Sequence, residues 1–489
     1  MSVYLDDSAF APGMRKVEKH DYKVDFSGEP LAASDMEGAF DASAGNAVKF
    51  NLDSKQFKDC ENAIMKASGK KKKENPCKTG MFTPIGRAVA QSLKDKYFAG
   101  FLKSAHFTKF LELEAWFENH EFDEFDFEIF RVLGRGGFGL VNGCRDVRTG
   151  KVYAMKTMDK RRVKLNGGEQ MCIYEKELLS LCDSPFVLDL KYSFSNQFEI
   201  FIIMDVKAGG DLNFHLHERK KFSEAETMYY IARTCEGMQA IHDCGWVYRD
   251  LKPENLLLGN DGKCNISDLG LACPVPKGGL MKGIAGTPGY WAPEMLRKED
   301  YGVMVDYWTL GVCFVEFLTG SCPFRSKGAL KFGKSKNIKD PLQSCNLAVK
   351  EMEIEFDSMG ISDLAKDLAK QLLDRDPSTR LGKNGLSDIK NHPYFATFDW
   401  DSVTDGTMEP PFVPDESGVN SADADSIGTF QNDAEVQDVQ LKEKDHSKYT
   451  KFPHKGKKAF EIDCVGFLIW EEKNPKEVDK PASKACVIS

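Results

Sequence analysis

Long apolar runs are missing from this 489-residue chain. Stretches such as Phe201–Met204 and Phe467–Trp470 fall far short of the roughly 20 apolar residues that a membrane-spanning helix needs. The N-terminus has no basic segment leading into an apolar one, so no secretory leader is expected. None of the 14 cysteines stands in a C-x-x-C pair, and no His lies at zinc-like spacing. They therefore read as reduced thiols, not as a disulfide framework or a structural zinc site. A basic excess is also missing: 66 Lys and Arg face 75 Asp and Glu, for a net charge of −9. That argues against a nucleic-acid coat, and no nucleic-acid partner is expected. No repeat of roughly 20–50 residues is visible. Hydrophobic residues make up 42% of the chain, enough for large cores, and the length has room for about two to four domains.

Residues 1–78 are weakly patterned and read as an arm. Its run Lys70–Lys73 reads as a solvated linker, with an anionic partner or membrane patch as the sharper alternative. Residues 79–125 read as helical. Thr83 suits a cap and Pro84 a first helical position, and Ile85, Val89, Leu93 and Tyr97 recur every four residues. Phe107, Phe110, Leu111 and Leu113 form a second apolar set ahead of Trp116 and Phe117, expected to be core. At Phe127 the period changes. Phe127–Val132 and Lys151–Lys156 alternate on either side of a glycine loop, which predicts strand–turn–strand. Helical patterns dominate from about 210, and the acidic stretch 421–445 reads as an extended tail.

Four motifs carry chemistry. The first is Gly134-Arg135-Gly136-Gly137-Phe138-Gly139-Leu140-Val141. Glycines let a backbone approach a phosphate with no Cβ in the way. A dinucleotide fingerprint requires a helix directly after such a loop, whereas a strand pattern follows here. The second is Tyr153-Ala154-Met155-Lys156, whose Lys could meet phosphates if a carboxylate held it, and Glu175 lies in the next helical stretch. The third is Tyr248-Arg249-Asp250-Leu251-Lys252-Pro253-Glu254-Asn255 and the fourth Asp268-Leu269-Gly270. Asp250 can accept a hydroxyl proton, and Asn255 and Asp268 can ligate a divalent metal. Gly286-Thr287-Pro288, Ala292-Pro293-Glu294 and Asp306–Gly311 follow in order.

Together these pieces match the protein-kinase signature. Residues 126–394 resemble an AGC-group serine/threonine kinase. Tyr-Arg-Asp at 248–250 and Pro410-Pro411-Phe412-Val413-Pro414 are typical of that group. Within it the chain resembles the G protein-coupled receptor kinases, through Arg131–Gly139, Asp268–Cys273 with its Leu269, Asn420–Asp425 and Ile427–Phe430. The stretch Phe98–Trp116 is similar to the end of that family's regulator-of-G-protein-signalling homology domain, whose last helices follow the kinase in the family. Only 79–125 supplies matching residues ahead of Phe127.

The resemblance implies an α+β, bilobal kinase fold with a β-rich N-lobe and a helical C-lobe, preceded by a partial helical homology region. It implies an AGC-type tail over 395–470 and a flexible terminus over 471–489. It implies ATP and Mg2+ as cofactors. Leu133, Gly134, Arg135, Gly136, Gly137, Phe138, Gly139 and Val141 would cover the nucleotide, and Ala154 and Val141 would pack on its ring. Met204, Asp205 and Val206 would form the hinge. Lys156, paired with Glu175, would hold phosphates, and Asp268 and Asn255 the metal. Asp250 would be the base, Lys252 would neutralise the transferring phosphoryl, and Thr287 would bond near both. Glu294 is expected to pair with Arg380, and Asp306 to anchor the catalytic loop. The implied substrate is an activated receptor at the cytosolic membrane face, with G protein subunits as further partners. A kinase of soluble substrates and a Gα-binding scaffold are the alternatives.

No Ser, Thr or Tyr lies between Gly270 and Gly286. A phosphate paired with Arg249 therefore cannot order that loop, and activation is expected from tail packing or a docked partner. The chain ends Cys486-Val487-Ile488-Ser489, a C-a-a-X pattern that predicts farnesylation of Cys486 and peripheral membrane binding. The cationic stretch Phe324–Lys339 reads as a solvated loop, or as contact with acidic receptor segments or an anionic membrane face.

Overall fold

The computed structural model describes residues 98–276, 278–414 and 433–473. The arm 1–78, the Thr83–Tyr97 stripe and Cys486 lie outside them. The described residues form two compact units: 98–121 with 147–151 and 457–473, and 122–146 with 152–456.

In the first unit, α1 (Ala105–Asn119) starts at Ser104, whose Oγ accepts from the Phe107 amide at 3.1 Å. Its partner is the helix Lys457–Lys473. Phe117 stacks on Phe460 at 4.4 Å between centroids, Lys109 pairs with Glu471, and Lys457 reaches Glu118 at 2.8 Å. Two expectations change here. The tail expected over 395–470 divides at Gly456, because the residues after it pack on α1. The apolar set of α1 is also less buried than expected: among its described residues only Phe117 is buried, and Leu111 is exposed. One partner helix covers only one face.

The second unit opens with a sheet of β1 (Phe127–Arg135), β2 (Gly139–Asp146), β3 (Val152–Asp159), β4 (Leu190–Ser195) and β5 (Glu199–Asp205). All pairings are antiparallel, in the order β1-β2-β3-β5-β4, and the short strand His454–Lys455 adds to β4. Phe127, Tyr153, Tyr192, Phe194 and Phe201 are buried around it. The alternation expected in β1 is absent: Glu128–Val132 are all exposed, because β1 is the sheet edge. The helix α2 (Glu169–Leu181) buries Glu175, Leu178 and Leu179.

Below the sheet the unit is helical. α3 (Glu224–Asp243) starts with a capping box between Ser223 and Glu226. α4 (Met304–Thr319) is buried nearly all round, as a helix with apolar residues on every face must be. Its Trp308, Phe314 and Phe317 are fully buried, each worth about 1.5–3 kcal/mol of transfer free energy. Between α3 and α4 run four short strands, β6 (Trp246–Val247), β7 (Leu256–Leu258), β8 (Cys264–Ile266) and β9 (Cys273–Pro274). They pair β6 with β9 and β7 with β8, which fixes the ends of the loops carrying Asp250 and Asp268. Glu294 and Arg380 form the expected ion pair, buried and bidentate at 2.7 and 2.9 Å.

The acidic stretch 421–445 is not wholly extended. Helices occupy Asp433–Gln437 and Glu443–His446. Asp445 ties the second one down, accepting from the Lys442 amide at 2.9 Å and from Lys164 at 2.7 Å. No helix among the described residues is long and apolar enough to cross a membrane.

Candidate active site

The glycine loop is the β1–β2 turn, as its sequence predicts. Leu133, Gly134 and Arg135 end β1, Gly136–Phe138 make the turn, and Gly139 and Val141 open β2. The Gly136 amide donates to the Gly139 carbonyl at 2.9 Å. A Cβ on Gly139 would lie 1.7 Å from the Thr157 carbonyl oxygen, so the close approach of β3 requires glycine there. A Cβ on Gly134 or Gly137 would meet nothing within 4 Å, and at Gly136 the nearest atom is Cε of Lys156 at 3.7 Å. These glycines face open space beside the lysine. Phe138 turns the other way, its ring lying where a Gly168 Cβ would be, so it packs on the start of α2.

Lys156 lies opposite Val141 on β3, and Ala154 lies opposite Met204 on β5. Met204 and Asp205 end β5 and Val206 follows, while the Asp205 carboxylate meets Lys191 at 3.3 Å. The Lys156 ammonium bonds both oxygens of Glu175 at 2.6 and 2.9 Å, and Asp268 Oδ1 at 3.1 Å. Burial opposes the Lys156 charge, but Asp268 and Glu175 outweigh it and hold the ammonium well above the ordinary lysine range. Burial pushes the Glu175 carboxyl up, and the adjacent ammonium opposes that shift without cancelling it. The same ammonium holds the Asp268 carboxyl below its usual range.

A second cluster lies in the helical part, near enough for its Lys252 charge to help lower Asp268. Asp250 Oδ1 accepts from the Thr287 hydroxyl at 2.7 Å, and Oδ2 accepts from Lys252 at 2.8 Å and from the Asn255 amide at 3.1 Å. Lys252 also donates to Thr287 Oγ1 at 2.9 Å. Asp250 is thus oriented from three sides, and Thr287 bonds where the motif predicts. Gly286 has φ +101°, and a Cβ there would lie 2.3 Å from the Arg249 carbonyl oxygen, so this turn too requires glycine. Arg249 and Asp268 themselves sit at φ +69° and +49°, a backbone strain that clusters at functional sites.

Asp306 anchors this loop, as expected. It is fully buried, its Oδ1 accepts from the Arg249 amide at 2.7 Å, and its Oδ2 accepts from the Tyr248 amide at 2.9 Å and His242 Nε2 at 2.7 Å. Residue types and spacing did not reveal three further supports. Tyr248 Oη donates to the Ser267 carbonyl at 2.6 Å, and Ser267 Oγ donates to the Asn255 carbonyl at 3.0 Å. His242 completes the set around Asp306. Their partners are backbone carbonyls or distant side chains, which leave no local motif.

The segment after Asp268 is held without a phosphate. Arg249 donates to the Leu271 carbonyl at 2.8 Å and lies 3.3 Å from Tyr301 Oη. Met281 and Tyr301 exchange backbone hydrogen bonds at 2.7 and 2.9 Å, and β9 is fixed to β6. The tail braces α2 and β4 as well. Lys448 pairs with Glu169 at 2.7 Å, Lys176 donates to the Lys451 carbonyl at 3.3 Å, and Ser193 Oγ donates to the Phe452 carbonyl at 2.6 Å.

Residues 127–395 match the family model described as "Protein kinase domain". The chain belongs to the protein kinase family. It is 38% identical over 371 residues to G protein-coupled receptor kinase 2 of Caenorhabditis elegans, covering 74% of this chain and 51% of that protein. It is 37% identical to rhodopsin kinase GRK1 of Rattus norvegicus, over 73% of this chain and 63% of that protein. Beta-adrenergic receptor kinase 1 of Homo sapiens is 36% identical, over 76% of this chain and 53% of that protein. The chain therefore matches between about half and two thirds of the length of these relatives. The matched kinase region contains both charged clusters, so the bilobal kinase fold expected from the motifs is the fold present.

Proposed function

We propose that this chain is an ATP-dependent serine/threonine kinase that phosphorylates activated G protein-coupled receptors at the cytosolic face of a membrane, promoting their desensitisation. The observation that carries the catalytic part is a pair of neighbouring charged clusters. Lys156, Glu175 and Asp268 lie beside the open glycine loop, and Asp250, Lys252, Thr287 and Asn255 form a second group whose Lys252 charge acts on Asp268.

The residues fit the groups that such a reaction needs. A hard divalent cation takes oxygen ligands, and Asp268 with the Asn255 carboxamide oxygen offers them. The open space over Gly134, Gly136 and Gly137 is a cradle for phosphate oxygens. Leu133, Val141 and Ala154 would line the nucleotide ring, and the backbone of Met204–Val206 would meet its edge. Mg2+, when bound there, neutralises phosphate charge. Lys156 holds the phosphates by charge and is itself aimed by Glu175. Asp250, kept in one orientation by Thr287, Lys252 and Asn255, receives the hydroxyl proton at a carboxylate oxygen. Lys252 places positive charge where the transferring group becomes most negative. Phosphoryl transfer requires little more than this positioning and charge.

The receptor as substrate rests on the names of the relatives and on the motifs shared with them. The loop held by Arg249, Leu271, Tyr301 and Met281 without a phosphorylatable residue supports activation through the tail and a docked partner. Carriage to the membrane through prenylated Cys486, and contact with G protein subunits through the helical unit, belong to this reading. Purified chain with Mg-ATP and a purified receptor tests it. Agonist-dependent phosphate incorporation that vanishes in Asp250→Asn supports it. Transfer to a soluble peptide alone, with no effect of agonist, would leave a kinase of soluble substrates.

A further inference from the structure

Most cysteines of the second unit are buried singly, but two stand together at the ends of two helices. Cys182 is the C-cap of α2, the helix that carries Glu175. Cys244 is the C-cap of α3, just before the strand that leads to Asp250. The Cys244 thiol approaches the carbonyl of Leu181, the residue directly before Cys182, at 3.8 Å. The contact is braced on one side by Tyr174 of α2, which meets Trp246 edge-on at 5.3 Å. We infer that Cys182 and Cys244 form a redox-responsive disulfide site that ties α2 to the end of α3.

Access decides the order of events. Cys182 is buried, and burial beside Cys244 pushes its thiol up to about 12. Among the described cysteines only Cys244 and Cys273 are not buried. The first step is therefore attack of the Cys244 thiolate on a peroxide. An S–O bond forms, the O–O bond breaks, and the departing oxygen leaves as water, giving a sulfenic acid. The Cys182 sulfur then attacks that sulfur. The S–S bond forms, the S–O bond breaks, and hydroxide leaves with the Cys182 proton as a second water. Two thiols and one hydrogen peroxide become one disulfide and two waters, and the two electrons pass from sulfur to peroxide. A thiol reductant reverses the step. In the oxidised chain the bond joins the helix bearing Glu175 to the segment bearing Asp250, in the arrangement where Glu175 meets Lys156.

The test uses the full chain, reduced and then treated with hydrogen peroxide. Remaining thiols are alkylated under denaturing conditions, and digested peptides are weighed before and after dithiothreitol. The expected product joins the Cys182 peptide to the Cys244 peptide and separates on reduction. It persists in Cys273→Ser and is absent from Cys244→Ser. Oxidation should raise Tm of the wild-type chain by about 4–16 °C, since the bond closes a long loop, and should slow amide exchange at the C-terminal end of α2. Alkylation of both thiols after peroxide, oxidation of Cys244 to sulfinic acid without crosslinking, or a crosslink to another cysteine would overturn the inference. The wild-type peptide map decides this even if a variant folds poorly.

Discussion

Replacing Asp306 by Asn exchanges one oxygen for an NH2 and changes little volume, yet it should disable the loop that carries Asp250. Both Asp306 oxygens accept from backbone amides, Oδ1 from Arg249 and Oδ2 from Tyr248, in a fully buried site. An Asn side chain offers one oxygen and one NH2. In either orientation a donor faces an amide N–H. The better orientation keeps the oxygen on Arg249 and turns the NH2 toward His242, whose ring can accept in its other tautomer. The Tyr248 amide is then left unpaired and buried. Such an orphan costs about 1–3 kcal/mol, and the loss of carboxylate charge adds to it. For a domain of this size that is a Tm fall of about 2–12 °C. Because Asp250 follows directly on Arg249, kcat should fall well below wild type at temperatures where the variant remains folded. Differential scanning calorimetry and steady-state phosphate transfer measure the two effects. A Tm within 1 °C of wild type together with unchanged kcat would refute the anchoring argument.

Asp250→Asn should lower kcat by about 10²–10⁴-fold, the usual worth of a positioned general base, with little change in Tm. Lys156→Met should abolish measurable transfer while the chain stays folded, read by activity and circular dichroism together; retained transfer would contradict the phosphate role. Breaking the buried Glu294–Arg380 pair with Glu294→Ala should cost about 3–5 kcal/mol by leaving the guanidinium uncompensated, seen as a large Tm drop. Glu316 is buried against Tyr290 and near Glu254, and burial pushes its carboxyl up to about 7. The folded chain then binds more protons than the unfolded one between the ordinary Glu range and pH 7, so this group's contribution to stability falls as pH rises through that window. Glu316→Gln should therefore gain stability relative to wild type at pH 8 compared with pH 5, and an equal difference at both pH values would disprove it.

The motif residues were legible because phosphoryl transfer demands particular side chains at fixed spacing. Lys156, Glu175, Asp250, Asn255, Asp268 and Thr287 are met in the structure as the two charged clusters their order implies. The strand after the glycine loop was legible from its alternation, which separated this loop from a dinucleotide fingerprint. Less legible was whatever depends on distant chain. The packing of Phe138 on Gly168 is one such feature, set by how α2 begins. The acidic stretch read as extended by composition, whereas Lys164, 281 residues away, pins Asp445 and the helix around it. The helix Lys457–Lys473 was divided between the tail and the terminus, although the resemblance places the homology domain's last helices after the kinase, because no local pattern marks its packing on α1. The Tyr248–Ser267–Asn255 chain of hydrogen bonds runs through carbonyl oxygens, which every residue possesses and no motif records.

The proposed function stands on phosphate transfer from ATP to a receptor through Asp250. The most direct measurement follows labelled phosphate from Mg-ATP into a purified receptor with and without agonist, for the wild-type chain and Asp250→Asn side by side. Incorporation on receptor Ser or Thr should rise with agonist and disappear in the variant. Equal incorporation by the variant, or agonist-independent transfer no better than to a soluble peptide, would contradict it.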